Sequence, residues 1–402
     1  MTKQNLQTPK GFRDFLPKDA AKRQFVLGKL ISTFENFGFE PLETPAVEYA
    51  EILKGKYGEE EKLIYEFDDR GGRQVALRYD QTVPLARVVA SNQNLPKPFK
   101  RYQAQTVWRA DNTQAGRWRE FLQVDIDTIG ADSVLADAEI ILCAAASLTK
   151  IGFERFTIKI NDRKIFSGLP KAVVIALDKL DKIGEVGVVE AIKNQGFNQR
   201  SANETLEKIK GAAPTETINK LFEILSASSL PPDKFAFAPT LARGLDYYTG
   251  AIFEIEIDGY TSGSVGGGGL YDNLIGSFGK ESVPAVGISF GFNRLIEAAE
   301  SAELLPTEES KTKVLVTIFE PKLLAASLEL TTNLRKRGIN TEIYLDPAAK
   351  LDKQLKYADQ KKIPFVALLG PNEVKEEKIT LKDFATQQQE SLTFAALVKK
   401  LS

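Results

Sequence analysis

Histidine is absent from all 402 residues. That absence excludes an imidazole base, a Ser-His-Asp triad and zinc sites of the usual His/Cys kind. Any metal has to be held by oxygen ligands, which favours magnesium. Cysteine and methionine occur once each. One cysteine rules out an internal disulfide framework. Cys143 lies in the helix-like run Ile-Ile-Leu-Cys-Ala-Ala-Ala, where a buried and inert thiol is expected. No apolar run approaches the roughly 20 residues of a membrane span. The start, Met-Thr-Lys-Gln-Asn-Leu-Gln, lacks the apolar core of a signal peptide, so a cytoplasmic location is expected. Charge of one sign is missing too: 53 basic and 54 acidic residues leave a net charge of −1. A nucleic-acid partner would have to be met by local basic patches.

What is present describes a globular chain, 43% hydrophobic and 27% charged, long enough for two or three domains. Apolar positions at helical spacing (Val26, Leu30, Phe34, Phe37) predict a helix over 20–37, with Gly38 as its cap. Pro41 to Val47 reads as extended. Ile64–Phe67 and Val75–Leu77 flank Asp-Asp-Arg-Gly-Gly, a hairpin pattern. Residues 101–109 and 119–129 read as strands joined by a polar loop, Ala110 to Trp118, and 133–150 as a helix. From about 165 to 230 helix follows helix, rich in Lys, Glu and Ala, which we read as an inserted helical subdomain. Strand pattern resumes near 251–257, and a glycine-rich helix start is expected at Gly287 to Arg294. Leu305-Pro-Thr-Glu-Glu-Ser-Lys-Thr is a linker by composition. Beyond it, apolar runs and helical spacing alternate as β-α-β-α-β in a separate small α/β domain. The expected division is 1–305, a linker at 306–312, and 313–402.

Strand periodicity marks a polar surface. Phe121, Gln123, Asp125 and Asp127 share one face, against Leu122, Val124 and Ile126 on the other. Arg101, Gln103, Gln105 and Arg109 alternate in the same way, and Arg78, Asp80 and Thr82 continue the habit after the hairpin. Taken alone, each strand also fits a solvated sheet face; together they describe the floor of a site for a polar ligand. A second segment reads Leu-Ala-Arg-Gly-Leu-Asp-Tyr-Tyr-Thr-Gly from Leu241, followed by a strand, the glycines Gly266–Gly269 and Leu-Tyr-Asp-Asn-Leu. Arg243 offers a fork of donors to phosphate or carboxylate oxygens. Tyr247 and Tyr248 offer flat faces with a hydroxyl at the tip, and the glycines admit close approach of backbone. A small ligand with an anion and a polar ring suits this combination.

These motifs resemble those of the histidyl-tRNA synthetases, members of the class II aminoacyl-tRNA synthetases. Phe39-Glu-Pro-Leu-Glu-Thr-Pro45 is similar to the first class motif, Arg109-Ala-Asp-Asn-Thr-Gln-Ala-Gly-Arg-Trp-Arg-Glu-Phe-Leu-Gln to the second, and Gly287-Ile-Ser-Phe-Gly-Phe-Asn-Arg294 to the third. Arg243-Gly-Leu-Asp-Tyr-Tyr and Gly267-Gly-Gly-Leu-Tyr-Asp resemble the two motifs peculiar to the histidine enzyme. The resemblance implies an α+β fold: a class II antiparallel sheet flanked by helices, a helical insertion, and a C-terminal α/β anticodon-binding-like domain. It implies histidine–tRNA ligase activity, in which histidine and ATP give histidyl-adenylate and the acyl group passes to the 3' end of tRNA(His). Magnesium would be bound mainly through the ATP phosphates, with no zinc. The first motif implies a homodimer through the catalytic domain.

The resemblance also assigns roles. Arg109 would grip the histidine carboxylate and the α-phosphate, and Arg243 the α-phosphate, as catalytic residues that also touch histidine. Asp80, Gln123 and Asp127 would bind the ammonium, with Gln81 and Thr82 nearby, and Tyr247 and Tyr248 would line the imidazole pocket. Phe121 would stack on adenine, with Asp111 beside the nucleotide, and Arg117 and Arg294 would hold the terminal phosphates. Two positions depart from the family pattern. Asn293 stands where the third motif usually has an acidic residue, which bears on the magnesium arrangement, and Leu122 replaces His or Tyr in the second. A non-catalytic relative, the regulatory subunit of ATP phosphoribosyltransferase, is the alternative reading. Arg109, Arg243, Arg294 and the C-terminal domain count against it, and the Arg-Gly-Leu-Asp-Tyr-Tyr segment counts against a threonine or proline enzyme.

Overall fold

The computed structural model describes residues 6–113, 117–243, 247–279, 281–307 and 310–402, without the side chain of Glu59. Gly244–Asp246 of the Arg-Gly-Leu-Asp-Tyr-Tyr segment, Gln114–Gly116 of the polar loop and Glu308–Glu309 of the linker lie outside the described residues. The chain divides into two compact units, Met1–Asp14 with Phe25–Leu305 and Phe15–Gln24 with Pro306–Ser402.

In the first unit the strands are β1 (Glu40–Pro41), β2 (Val47–Tyr49), β3 (Glu66–Asp68), β4 (Gln74–Leu77), β5 (Phe99–Trp108), β6 (Glu120–Ile129), β7 (Phe156–Asp162), β8 (Phe235–Phe237), β9 (Ala251–Ile257), β10 (Gly266–Leu270) and β11 (Ala285–Gly291). Eight of them form one sheet in the order β1-β5-β6-β11-β10-β9-β7-β8. It is antiparallel except where β1 meets β5 and β7 meets β8. One face is apolar: Tyr102, Val124, Ile126, Phe253, Ile288 and Phe290 pack with Val26, Leu30 and Phe34 of the helix Pro17–Asn36 and against the helix Val134–Ile151. The helix Val134–Ile151 is capped by Ser133, whose Oγ accepts from the Leu135 amide at 3.2 Å, and it ends at Gly152, φ +122°. Cys143 is buried in this layer, and burial pushes its thiol up.

Opposite Val124 and Ile126, by the period of two, the other face carries Gln123, Asp125 and Asp127. A second apolar cluster borders this polar floor, including Ile129, Ile252, Ala285, Tyr271 and Leu274. The segment after β7 forms the helices Lys171–Leu177, Leu180–Lys193, Gln199–Lys210 and Glu216–Ala227. Val188, Ile192 and Leu206 join the second cluster, whereas Ile218, Leu221 and Leu225 of the last helix pack into the main core. The hairpin expected at Asp-Asp-Arg-Gly-Gly joins β3 to β4, which also pairs with β2.

One expectation needs correction. Gly287–Gly291 belongs to β11, and the helix Phe292–Ser301 starts only after it. The four glycines form a central strand, β10, paired on both sides. A Cβ on Gly268 would lie 1.9 Å from the Gly287 carbonyl oxygen, and one on Gly269 would lie 2.5 Å from that of Ala251. Glycine is required here for close passage of backbone.

In the second unit β12 (Val314–Val316), β13 (Thr341–Ile343), β14 (Phe365–Leu368), β15 (Ile379–Asp383) and β16 (Gln389–Leu392) form a sheet in the order β13-β12-β14-β15-β16. The first three strands are parallel and follow the β-α-β-α-β pattern; β15 and β16 add an antiparallel edge. Leu334 of the helix Leu324–Lys336 packs with Val314 and Val316, and Ala358 of the helix Leu351–Gln360 packs with Leu315 and Val366. Helices cover both faces, as a parallel sheet requires.

Candidate active site

The ladder fixes which side chains meet. Across β5 and β6, Arg101 stands opposite Asp127, Gln103 opposite Asp125 and Gln105 opposite Gln123. On the far side of β6, Gly287 faces Asp127, Ser289 faces Asp125 and Gly291 faces Gln123. A Cβ on Gly287 would lie 2.0 Å from Asp127 Oδ1, so a bare backbone there leaves room for the carboxylate. Asp80, Asp125, Asp127 and Arg101 are all buried.

Asp127 accepts a hydrogen bond from the Tyr271 hydroxyl and has Arg101 Nη2 at 2.7 Å from its Oδ2. Asp125 Oδ2 accepts from Gln123 Nε2 at 2.8 Å, and Gln123 Oε1 accepts from Arg109 Nη2 at 3.3 Å. Asp80 Oδ1 accepts from the Tyr57 hydroxyl at 2.8 Å and the Val83 amide at 3.1 Å. Burial pushes Asp125 up to about 7, against the opposing charge of Arg101; it also raises Asp127 and Asp80. Aromatic rings wall the site. Tyr247 lies 4.8 Å from Tyr248 and 6.0 Å from Tyr271, and Tyr57 lies 4.6 Å from Tyr79, centroid to centroid. Burial holds the hydroxyls of Tyr57, Tyr247 and Tyr271 protonated far beyond neutrality. They therefore act as neutral donors and acceptors.

Each of the four arginines expected at the site has its own partners. Arg109 Nε donates to the Tyr79 carbonyl at 3.1 Å, and its guanidinium lies 4.4 Å from the Tyr79 ring and 5.2 Å from the Phe121 ring. Arg243 Nη1 lies 3.5 Å from Glu254 Oε2, and the Arg243 carbonyl accepts from Arg163 at 2.7 Å. Its head occupies the space a side chain at Gly267 would need: a Cβ there would lie 1.7 Å from Arg243 Nη1. Arg117 pairs with Asp111 at 3.1 Å and remains half-exposed. Arg294, at the start of the helix after β11, donates to the Ser264 carbonyl at 3.1 Å.

Asp80, Arg109, Phe121, Gln123, Asp127, Tyr247 and Tyr248 thus come together, whereas Arg117 pairs with Asp111 and Arg294 with Ser264 apart from them, and two further residues serve the framework. Gln81 is fully buried, and its amide donates to the main-chain carbonyls of Gln105 and Gln123, clasping β5 to β6. Arg78 likewise donates to the carbonyls of Thr44 and Thr106 and serves the framework. Tyr57, Tyr79, Tyr271 and Glu254 belong to the site without having been singled out, and Arg101, expected on its floor, had no role assigned. Tyr271 was within reach, following the glycine strand directly. Tyr57 sits between Gly55 and Gly58 with no periodic pattern around it.

The arrangement sets three buried carboxylates beside Arg101 and Arg109, against a wall of tyrosine rings. Such a site can hold a small cation-bearing ligand next to a phosphate chain. Comparison with known proteins gives the same direction. The family model described as Histidyl-tRNA synthetase matches residues 11–187 and 184–295, and the Anticodon binding domain model matches 313–402. The chain is 40% identical to the histidine–tRNA ligase of Cytophaga hutchinsonii, covering 98% of both chains. It is also 40% identical to that of Wolinella succinogenes, covering 95% of both. The structure matches the crystal structure of histidyl-tRNA synthetase from Nostoc with a TM-score of 0.87 at 29% identity, over 99% of both chains. An ATP phosphoribosyltransferase regulatory subunit/histidyl-tRNA synthetase from Bacillus halodurans shares the fold, with a TM-score of 0.73 at 23% identity, over 88% of this chain and 96% of that one. This chain belongs to the histidyl-tRNA synthetase family.

Proposed function

We infer that the chain is a histidine–tRNA ligase: it activates histidine with ATP to histidyl-adenylate and passes the acyl group to tRNA. The observation that carries the reading is the charge of the pocket. Asp80, Asp125 and Asp127 face Arg101 and Arg109: with one proton shared between Asp125 and Asp127 the charges balance, and ionisation of that pair leaves one negative charge, the complement of an amino-acid ammonium. The tyrosine wall supplies a flat slot with hydroxyls for a polar ring. A pocket built on polar partners rejects apolar analogues strongly, because its own groups would be left unpaired.

Gln123 and Asp127 are four residues apart, about 13 Å along the strand. Strand twist is what lets Asp80, Gln123 and Asp127 converge on the histidine ammonium, with Thr82 nearby, while the ring lies toward Tyr247 and Tyr248. The histidine carboxylate reaches toward Arg109 and Arg243. Adenine stacks on Phe121, next to Asp111, and Arg117 and Arg294 take the terminal phosphates. ATP enters as its magnesium complex; Asn293 brings no charge to the metal, which is held by the phosphates.

In the first step a histidine carboxylate oxygen attacks the α-phosphorus and pyrophosphate leaves. Charge builds on the α-phosphate oxygens, and Arg109 and Arg243 are the residues that neutralise it there. Preorganised charge and alignment supply most of the catalysis in such transfers. No protein base is consumed, so a protein without histidine can perform the reaction. In the second step a terminal ribose hydroxyl of tRNA takes the acyl group and AMP leaves.

Residues 1–305 hold the catalytic machinery, with the insertion at about 165–230; residues 306–312 serve as linker and 313–402 bind the anticodon end of tRNA(His). Two copies pair through the first unit, in the cytoplasm. Val47, Tyr49 and Phe67, exposed on the small sheet of β2, β4 and β3, support that pairing as an apolar surface suited to a second copy. The test is charging of bulk tRNA with labelled histidine by the purified protein. Acid-precipitable histidine that depends on ATP is expected; its absence with active protein would reject the reading.

A further inference from the structure

The chemistry above makes no direct use of Arg101, yet its position in the fold is unusual. It lies on β5, opposite Asp127, with no exposed surface. Its Nη2 is 2.7 Å from Asp127 Oδ2 and 3.9 Å from Asp125 Oδ2. The closer pair has ion-pair distance without hydrogen-bond alignment, and Nε and Nη1 meet no acceptor among the described residues. A buried ion pair is a poor way to gain stability, since an apolar side chain of the same volume often does as well or better. What the position supplies is charge.

The groups around it come from every neighbouring element. Asp125 and Asp127 project from β6, and Ser289 from β11 hydrogen-bonds Asp125. Tyr271, after β10, donates to Asp127, and Tyr248 stands near that carboxylate. Asp80, with Tyr57 and Arg109, closes the remaining side. Two carboxylates two residues apart on one strand face, both shut off from water, favour sharing a proton over carrying two charges.

We propose that Arg101 is a positioning residue that competes with a proton for the Asp125–Asp127 pair, so that the incoming amino acid meets ionised partners. The proposal rests on histidine being the substrate. Even beside Arg101, burial brings Asp125 up to about 7. Without the guanidinium the pair keeps its proton further into the alkaline range, and histidine has to displace it. Because the chain has no histidine side chain, this pair is a natural source of pH dependence near neutrality.

The experiment is ATP–pyrophosphate exchange with the full chain at pH 6.5, 7.5 and 8.5, each variant expressed as a ratio to wild type so that the titration of the substrate cancels. Wild-type exchange with histidine comes first; its absence overturns the substrate reading itself, independently of any variant. Arg101→Met is expected to raise the histidine KM about tenfold at pH 7.5, the equivalent of one pH unit of proton competition, with the ATP KM within about twofold. The deficit should shrink toward pH 8.5. Arg101→Met/Asp125→Asn, which removes the shared proton along with the cation, should bind histidine better than Arg101→Met alone. A deficit equal at all three pH values, parallel loss for ATP, or additive losses in the double variant would make Arg101 a strut and overturn the proposal. Asp125→Asn alone keeps the test open should Arg101→Met not fold: its histidine KM profile should lose the wild-type inflection near neutrality, and a superposable profile overturns the proposal.

Discussion

Two glycines separate the two halves of the chemistry, because each makes room for a different side chain. Gly267 leaves space for Arg243, whose guanidinium atoms are the ones an added methyl would strike. Those atoms end a flexible side chain, so Gly267→Ala should fold and displace the arginine. The expected result is a fall in kcat for exchange of about a hundredfold, the scale of one lost charge donor in a transition state, with a smaller change in histidine KM. Gly287 makes room for Asp127. Gly287→Ala, whose methyl would also lie 2.8 Å from the Ile126 carbonyl oxygen, should, where circular dichroism shows it folded, raise the histidine KM by ten- to a hundredfold, matching a charged hydrogen bond of ~1.5–3 kcal/mol, and leave the ATP KM nearly unchanged. Steady-state exchange on both variants distinguishes the two effects; equal effects on both parameters in both variants would contradict the assignment. Neither role is legible in the run of four glycines itself, since only the ladder tells which neighbour each glycine faces.

At the scale of elements, periodicity served where side chains alternate and failed where they are missing. β5 and β6 read correctly because Val124 and Ile126 are drawn into the core while Gln123, Asp125 and Asp127 turn the other way. β10 has no apolar pattern to read; its pairing with β9 and β11 defines it. β8, three residues long, and the antiparallel pair β15 and β16 are set by their neighbours in the same way. The helix Val134–Ile151 carries a different kind of hidden feature, Asp137, buried in its first turn. Burial, then the charges of Asp272 and Asp162, push Asp137 up to about 7. In an unfolded chain it would titrate near 3.9. The folded value is the higher one, so the stability it lends at acid pH is lost as pH rises from about 4 through 7. Asp137→Asn stays neutral and escapes that loss. Thermal melts should show the variant gaining on wild type between pH 5 and pH 8; a constant difference would mean that Asp137 is not a buried acid of this kind.

For the whole molecule, composition narrowed the chemistry before any fold was known. A chain without histidine and with one cysteine had to work through arginines, carboxylates and aromatic rings, and the site is built of these. The division of labour follows from where these groups lie: every residue assigned to adenylation falls before residue 305. Removal of residues 312–402 should leave histidine-dependent exchange within about tenfold of the full chain while tRNA charging is lost, provided circular dichroism shows the remainder folded. Equal loss of both would contradict the division. The central claim is that this pocket selects histidine for adenylation. It is tested most directly by ATP–pyrophosphate exchange with each of the twenty amino acids supplied singly to the full-length protein. The account predicts exchange with histidine and background rates with the other nineteen. Exchange with a different amino acid, or with none while the protein binds histidine, would contradict it, the latter outcome favouring a regulatory relative.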